Sequence, residues 1–85
     1  MFTVYVLYSP SFNKTYTGYT SDIASRLQSH NVMATKGYTI RYRPWVLIYS
    51  EMFATKTEAI KRERELKTGK GRIFIQSILE EKFNC

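Results

Sequence analysis

Two stretches near the N-terminus, Phe2 to Tyr8 and Thr15 to Tyr19, consist of β-branched and aromatic residues, and only the segment SPSFNK lies between them. Pro10 and Asn13 punctuate that segment, so the arrangement reads as a β-hairpin. Paired residues of an antiparallel hairpin have a constant index sum. If that sum is odd, as it is when Tyr5 lies opposite Tyr16, both rings share one face. A chain of 85 residues supports one core, so the hairpin is expected to find its cover within a single domain spanning residues 1–85.

Helical signals supply that cover. Thr20, Ser21 and Asp22 are N-cap candidates for a helix ending near His30, with Asn31 able to take the left-handed position beyond it. Ile23 and Leu27 form its apolar stripe. At 100° per residue Arg26 lies about 60° and His30 about 20° to the same side of Ile23, so both lean toward whatever the helix packs on. After a polar, basic loop around Gly37, a strand is expected from Trp45 to Phe53. TKTE, Thr55 to Glu58, has capping-box spacing, and a helix from Lys56 to Thr68 should follow and stop at the glycines of TGKG. Phe74, Ile75, Ile78, Leu79 and Phe83 recur at helical spacing and predict a third helix. Three strands with helices between and after them make a small α+β domain.

One residue breaks the pattern of the second helix. Ala59, Ile60 and Leu66 define its inward face, and Glu63 falls about 40° from Ala59, in the middle of that face. An ionised carboxylate aimed at the domain body needs a partner, a hydrogen bond or a metal. Lys67, four residues on, offers the plainest partner. Ordinary roles exist for other polar residues too: Asp22 can pair with Arg26, His30 can meet the last carbonyls of its helix, and Tyr5 and Tyr16 can be a cross-strand aromatic pair.

Charge points to a class of partner. Thirteen Lys and Arg against seven Asp and Glu give +6, which favours a polyanion. In KGYTIRYRPW, Lys36, Arg41 and Arg43 alternate with Tyr38, Tyr42 and Trp45, a composition that can hold phosphate and stack bases; equally, the rings can complete the core of a solvated loop. Lys61, Arg62, Arg64, Lys67, Lys70 and Arg72 add a basic flank suited to general attraction. The one cysteine, Cys85, excludes an intrachain disulfide. With no basic leader and no long apolar run, a cytoplasmic protein without membrane contact is expected.

TVY at Thr3 to Tyr5, YTG at Tyr16 to Gly18, RLQSHN at Arg26 to Asn31 and AIKRE at Ala59 to Glu63 together resemble, in order and spacing, the GIY-YIG nuclease domain. The likeness is closest to small stand-alone bacterial members, themselves similar to the N-terminal nuclease module of the bacterial excinuclease. It implies a three-stranded antiparallel sheet flanked by helices and a metal-dependent endonuclease that hydrolyses nucleic-acid phosphodiesters, DNA foremost, structure-selectively or with weak sequence preference. By position Glu63 matches the metal-binding glutamate, Arg26 the catalytic arginine, Tyr5 and Tyr16 the motif tyrosines, and His30 a histidine near the cleft. Gly18 matches the motif glycine, whose bare backbone lets substrate or a helix approach. Thr3 replaces the usual first glycine, and Ile75 and Ile78 stand where several members carry an asparagine.

The implied chemistry suits these residue types. One carboxylate with several waters is an adequate Mg²⁺ or Mn²⁺ site, and a forked guanidinium can meet phosphoryl oxygens as they gain charge. Either Tyr5 or His30 can serve as the base. Nucleic acid would be held by Lys36, Tyr38, Arg41, Tyr42, Arg43, Lys61, Lys67 and Lys70. The alternative is a non-catalytic nucleic-acid-binding module on the same scaffold.

Overall fold

The computed structural model describes residues 1–28, 30–31 and 41–83. The hairpin forms as β1 (Phe2–Ser9) and β2 (Lys14–Thr20), and β3 (Val46–Phe53) pairs with the other side of β1. Both pairings are antiparallel and the order is β2-β1-β3. With α1 (Ile23–Gln28), α2 (Lys56–Leu66) and α3 (Gly69–Phe83), the described residues make an α+β fold of three strands and three helices. None of these helices is long and apolar enough to cross a membrane.

The turn works as its residues suggest. Asn13 takes a left-handed backbone, φ 52°, which its short polar side chain tolerates. The Tyr8 hydroxyl donates to Asn13 Oδ1 at 3.0 Å, tying the turn back to β1.

The register differs from the one that sets the two tyrosines face to face. Tyr5 pairs with Gly18 and Leu7 with Tyr16. The index sum is odd, so Tyr5 and Tyr16 share a face, but they are diagonal neighbours. Space at this pair fits the observed register: a Cβ on Gly18 would lie 2.8 Å from the Tyr5 hydroxyl and would displace the buried ring.

Central position buries β1 on both faces. Val4, Val6 and Tyr8 pack with Ile48, Ala59, Leu66, Ile75 and Leu79 beneath α2 and α3. Tyr5 and Leu7 face the other way, against Trp45, Tyr16, Ile23, Leu27 and Tyr42. A register shift between Val6 and Leu7 leaves Ile48 outside the pairing with β1, yet its side chain joins the aliphatic core.

Helix ends correct several expectations. Asp22 caps α1, its Oδ1 accepting from the Ser25 amide at 3.2 Å; no ion pair joins it to Arg26 among the described residues. Thr55 accepts from the Glu58 amide at 3.3 Å, but Glu58 reaches back to the Thr55 hydroxyl rather than its backbone N–H. The second helix ends at Leu66, and the glycines expected to stop it lie inside α3. Gly71 is required there, because a Cβ would run into the Glu65 carbonyl oxygen and the Leu66 backbone where α2 and α3 touch.

Candidate active site

The aromatic face of the sheet collects polar groups. Tyr5 is 1% exposed, and its hydroxyl lies 2.9 Å from His30 Nε2. His30 is 6% exposed and sits against both motif tyrosines, with ring centroids 5.8 Å from Tyr5 and 4.9 Å from Tyr16. The tyrosine centroids are 6.3 Å apart. His30 therefore belongs to a buried cluster and is not a surface residue at the end of α1.

Clamps from the neighbouring segment hold this cluster. Asn31 donates from Nδ2 to the Trp45 carbonyl at 3.1 Å and accepts from the Trp45 amide at 2.6 Å. Its side chain thus acts as a short strand partner for Trp45 instead of a left-handed helix cap. Arg43 donates from Nε to the His30 carbonyl at 2.6 Å. Neither contact has a sequence signal, because the partners are more than ten residues apart in the chain and become neighbours only in the folded molecule. Gly18 is the third support: its missing side chain makes room for the Tyr5 hydroxyl.

Arg26 is exposed on α1 and Glu63 is carried by α2, yet both act on Tyr5. Burial pushes the Tyr5 phenol above its usual range, and the adjacent Arg26 guanidinium opposes the rise while Tyr16 and Glu63 add to it. His30 is pushed down by burial and by the positive charges of Arg26 and Arg43, which keeps the imidazole neutral around pH 7. A protonated phenol thus faces a neutral imidazole, and a proton can pass along their hydrogen bond. The bond fits two tautomers: with Tyr5 donating to Nε2 the ring hydrogen sits on Nδ1, and with the hydrogen on Nε2 the phenol oxygen accepts.

Glu63 is neither in bulk solvent nor enclosed. Its side chain is 17% exposed, and Oε1 accepts from Lys67 Nζ at 3.2 Å. The other carboxylate oxygen has no hydrogen bond among the described residues. Those residues contain no group of three or more His, Cys, Asp or Glu able to cage a metal. A lone carboxylate with one uncommitted oxygen fits a cation that keeps most of its water, as Mg²⁺ does, and does not fit a structural zinc.

The expected nucleic-acid contacts are scattered. Lys36 and Tyr38 lie outside the described residues. Arg41, Lys61, Lys67 and Lys70 are exposed. Tyr42 is half-buried against Trp45 and Phe12, with Lys14 Nζ 5.8 Å above its ring. Trp45, 4% exposed, completes the core and offers no stacking surface. Arg62 leaves the basic flank: its Nε meets Glu51 at 3.3 Å, and Tyr49 donates to the same carboxylate at 2.6 Å, joining α2 to β3.

Comparison with known proteins gives this geometry a lineage. The model of the GIY-YIG catalytic domain matches residues 1–74. The chain belongs to the GIY-YIG family. A UPF0213 protein of Staphylococcus haemolyticus is 48% identical over 56 residues, 66% of this chain and 68% of that protein. A UPF0213 protein of Staphylococcus aureus is 49% identical over 53 residues, 62% of this chain and 65% of that protein. The solution structure of the UPF0213 protein BH0048 from Bacillus halodurans superposes with a TM-score of 0.56 at 27% identity, covering 98% of this chain and 90% of that one. Within the GIY-YIG domain, Tyr5, Tyr16, Arg26, His30 and Glu63 all lie in the matched region.

Proposed function

We propose that this GIY-YIG protein is a divalent-metal-dependent endonuclease acting on nucleic acid, DNA foremost, in the cytoplasm. One observation carries the reading: a buried Tyr5–His30 hydrogen bond of 2.9 Å lies beside a guanidinium, with a carboxylate close enough to act on the same phenol. A protein that only bound phosphate would have no use for a neutral imidazole and an inward acid in a chain of charge +6.

In the proposed reaction Tyr5 takes a proton from the attacking water as its own proton moves to His30 Nε2. The raised phenol is a poor base alone; the neutral imidazole behind it supplies the acceptor. Tyr16 holds the imidazole in place by packing on it. Arg26 directs two donors at the non-bridging phosphoryl oxygens. Glu63 would hold a hydrated Mg²⁺ or Mn²⁺, which supplies charge neutralisation at the phosphoryl and leaving oxygens.

The test is cleavage of flapped, branched and single-stranded DNA with and without Mg²⁺ or Mn²⁺. Glu63→Ala and Arg26→Ala should each abolish cleavage while the thermal midpoint is kept. Wild type and Glu63→Ala cutting equally would end this reading. A second reading, a nucleic-acid-binding module without chemistry, draws on the Glu63–Lys67 pair, which already gives the carboxylate a partner. It requires salt-dependent binding that metal does not change.

A further inference from the structure

The β1–β2 turn carries one side chain that its geometry does not require. Asn13 supplies the left-handed backbone, the Tyr8 hydroxyl holds Asn13, and the Phe12 amide donates to the Ser9 carbonyl at 3.3 Å. Pro10, Ser11 and Asn13 are ordinary turn residues; a phenylalanine is not. None of these contacts uses the Phe12 ring, which is 49% exposed.

Its position sets it apart. Two other phenylalanines are exposed among the described residues, and both lean on the aliphatic side of the sheet, Phe74 on Tyr49 and Phe83 on Tyr8. Phe12 leans on the aromatic side, against Tyr42, with centroids 5.4 Å apart and planes at 74°. A perpendicular contact cannot cover both faces of a ring, so at least one face of Phe12 stays clear of Tyr42. The turn fixes the backbone beneath that face, so little conformational freedom is left to lose when something stacks on it.

Positive charge gathers at the same place. Lys14 Nζ lies 5.8 Å from the centroid of the Tyr42 ring that Phe12 touches, and Arg41, next to Tyr42 in the chain, is exposed. Among the described residues no carboxylate pairs with either cation. Rings then lead inward on this face of the sheet: Tyr42 packs on Trp45, Trp45 on Tyr16, and Tyr16 on His30, with centroids 6.4, 6.4 and 4.9 Å apart.

We propose that Phe12 is a stacking platform for an unpaired base of a nucleic-acid strand, with Lys14 and Arg41 meeting the neighbouring phosphates. A base offers a π face and a phosphate offers charge, and this corner of the molecule presents an open ring beside two uncommitted cations. Base pairing and stacking close off the faces of bases inside a duplex, so the platform selects single-stranded segments, flaps and frayed ends. A phenyl ring makes no hydrogen bonds, so it reads no sequence. That the held strand runs on to the bond to be cut rests on the nuclease reading; the stacking does not.

The test is fluorescence anisotropy of a labelled thymidine oligonucleotide and of a duplex of the same length, titrated with the full chain without divalent metal. Phe12→Ala should weaken single-strand binding by ~10-fold and leave duplex binding unchanged. Phe12→Trp should bind the single strand at least as well as wild type, whereas Phe12→Leu, apolar but without a ring, should behave as Phe12→Ala. This second pair keeps bulk at the position and carries the test if the alanine variant folds poorly. Lys14→Gln should weaken single strand and duplex alike, as a phosphate contact does. Single-strand binding that Phe12→Leu preserves, or an equal loss for single strand and duplex in Phe12→Ala, would overturn the proposal. Self-association of the free chain that Phe12→Ala abolishes would assign the ring to a second copy and do the same. The two readings fail separately: stacking on Phe12 in a protein that cuts nothing removes the nuclease, and cleavage by a protein whose strand binding ignores Phe12 removes the platform.

Discussion

The two faces of the sheet are closed by different chemistry. Val4 and Val6 meet Ala59, Leu66, Ile75 and Leu79, side chains without a polar atom. One residue away on the same strand, Tyr5 meets His30 and Tyr16 in the cluster that includes Trp45. The aliphatic face needs only volume and shape, and aliphatic replacements of like size should be tolerated. The aromatic face must give each buried polar atom a partner, so its geometry is fixed by hydrogen bonds as well as packing. Stability should therefore be concentrated on the first face and activity on the second.

Glu63→Gln should separate the two most sharply. Cleavage should fall by ~10²–10³-fold, the range for removing a group that stabilises transition-state charge. Stability should change by less than ~0.5 kcal/mol, because the pair with Lys67 is an i,i+4 contact whose lysine end is open to solvent. A large loss of stability with intact cleavage would reverse the assignment.

Gly71→Ala attacks the aliphatic side through the α2–α3 contact. The added methyl meets backbone, which cannot rotate away, so a cost of about 3 kcal/mol is expected in urea unfolding. Asn31→Ala attacks the other side by leaving both Trp45 backbone groups without their clamp, at about 2 kcal/mol. Its cleavage rate should drop by more than its stability explains, since the same clamp sits next to His30; a proportional loss would make Asn31 purely structural.

The smallest effect concerns pH. The folded His30 pKa lies below its ordinary 6.5, so the unfolded chain takes up a proton more readily. The stability this contributes is complete above about 6.5 and is lost as pH falls below it through the folded value. Between pH 7 and 5 the urea midpoint of wild type should decline more than that of His30→Gln. Parallel slopes would mean that His30 is not buried as described.

The strands were legible because Phe2 to Tyr8, Thr15 to Tyr19 and the run ending at Phe53 carry β-forming residues bounded by turn signals, and these are local facts. Glu63 stood out because helical periodicity is also local, and the wheel that sets Ala59 and Leu66 inward leaves the acid beside them. The shared face of Tyr5 and Tyr16 followed from parity. Their diagonal offset did not, because parity leaves register open by steps of two; in the register that forms, the bare Gly18 leaves room for the Tyr5 hydroxyl. The second helix does break at TGKG, but Gly71 serves close packing between the two helices, a contact with no trace in one helix's own sequence.

Residue type and short-range spacing were enough to specify three strands, the helices that cover them, the inward acid and a positive net charge. It took the folded molecule to bury His30 on Tyr5, to set Asn31 against Trp45, and to draw Arg62 to Glu51. Most of these contacts join residues far apart in the chain, and which partners meet is set by how sheet and helices close over one another.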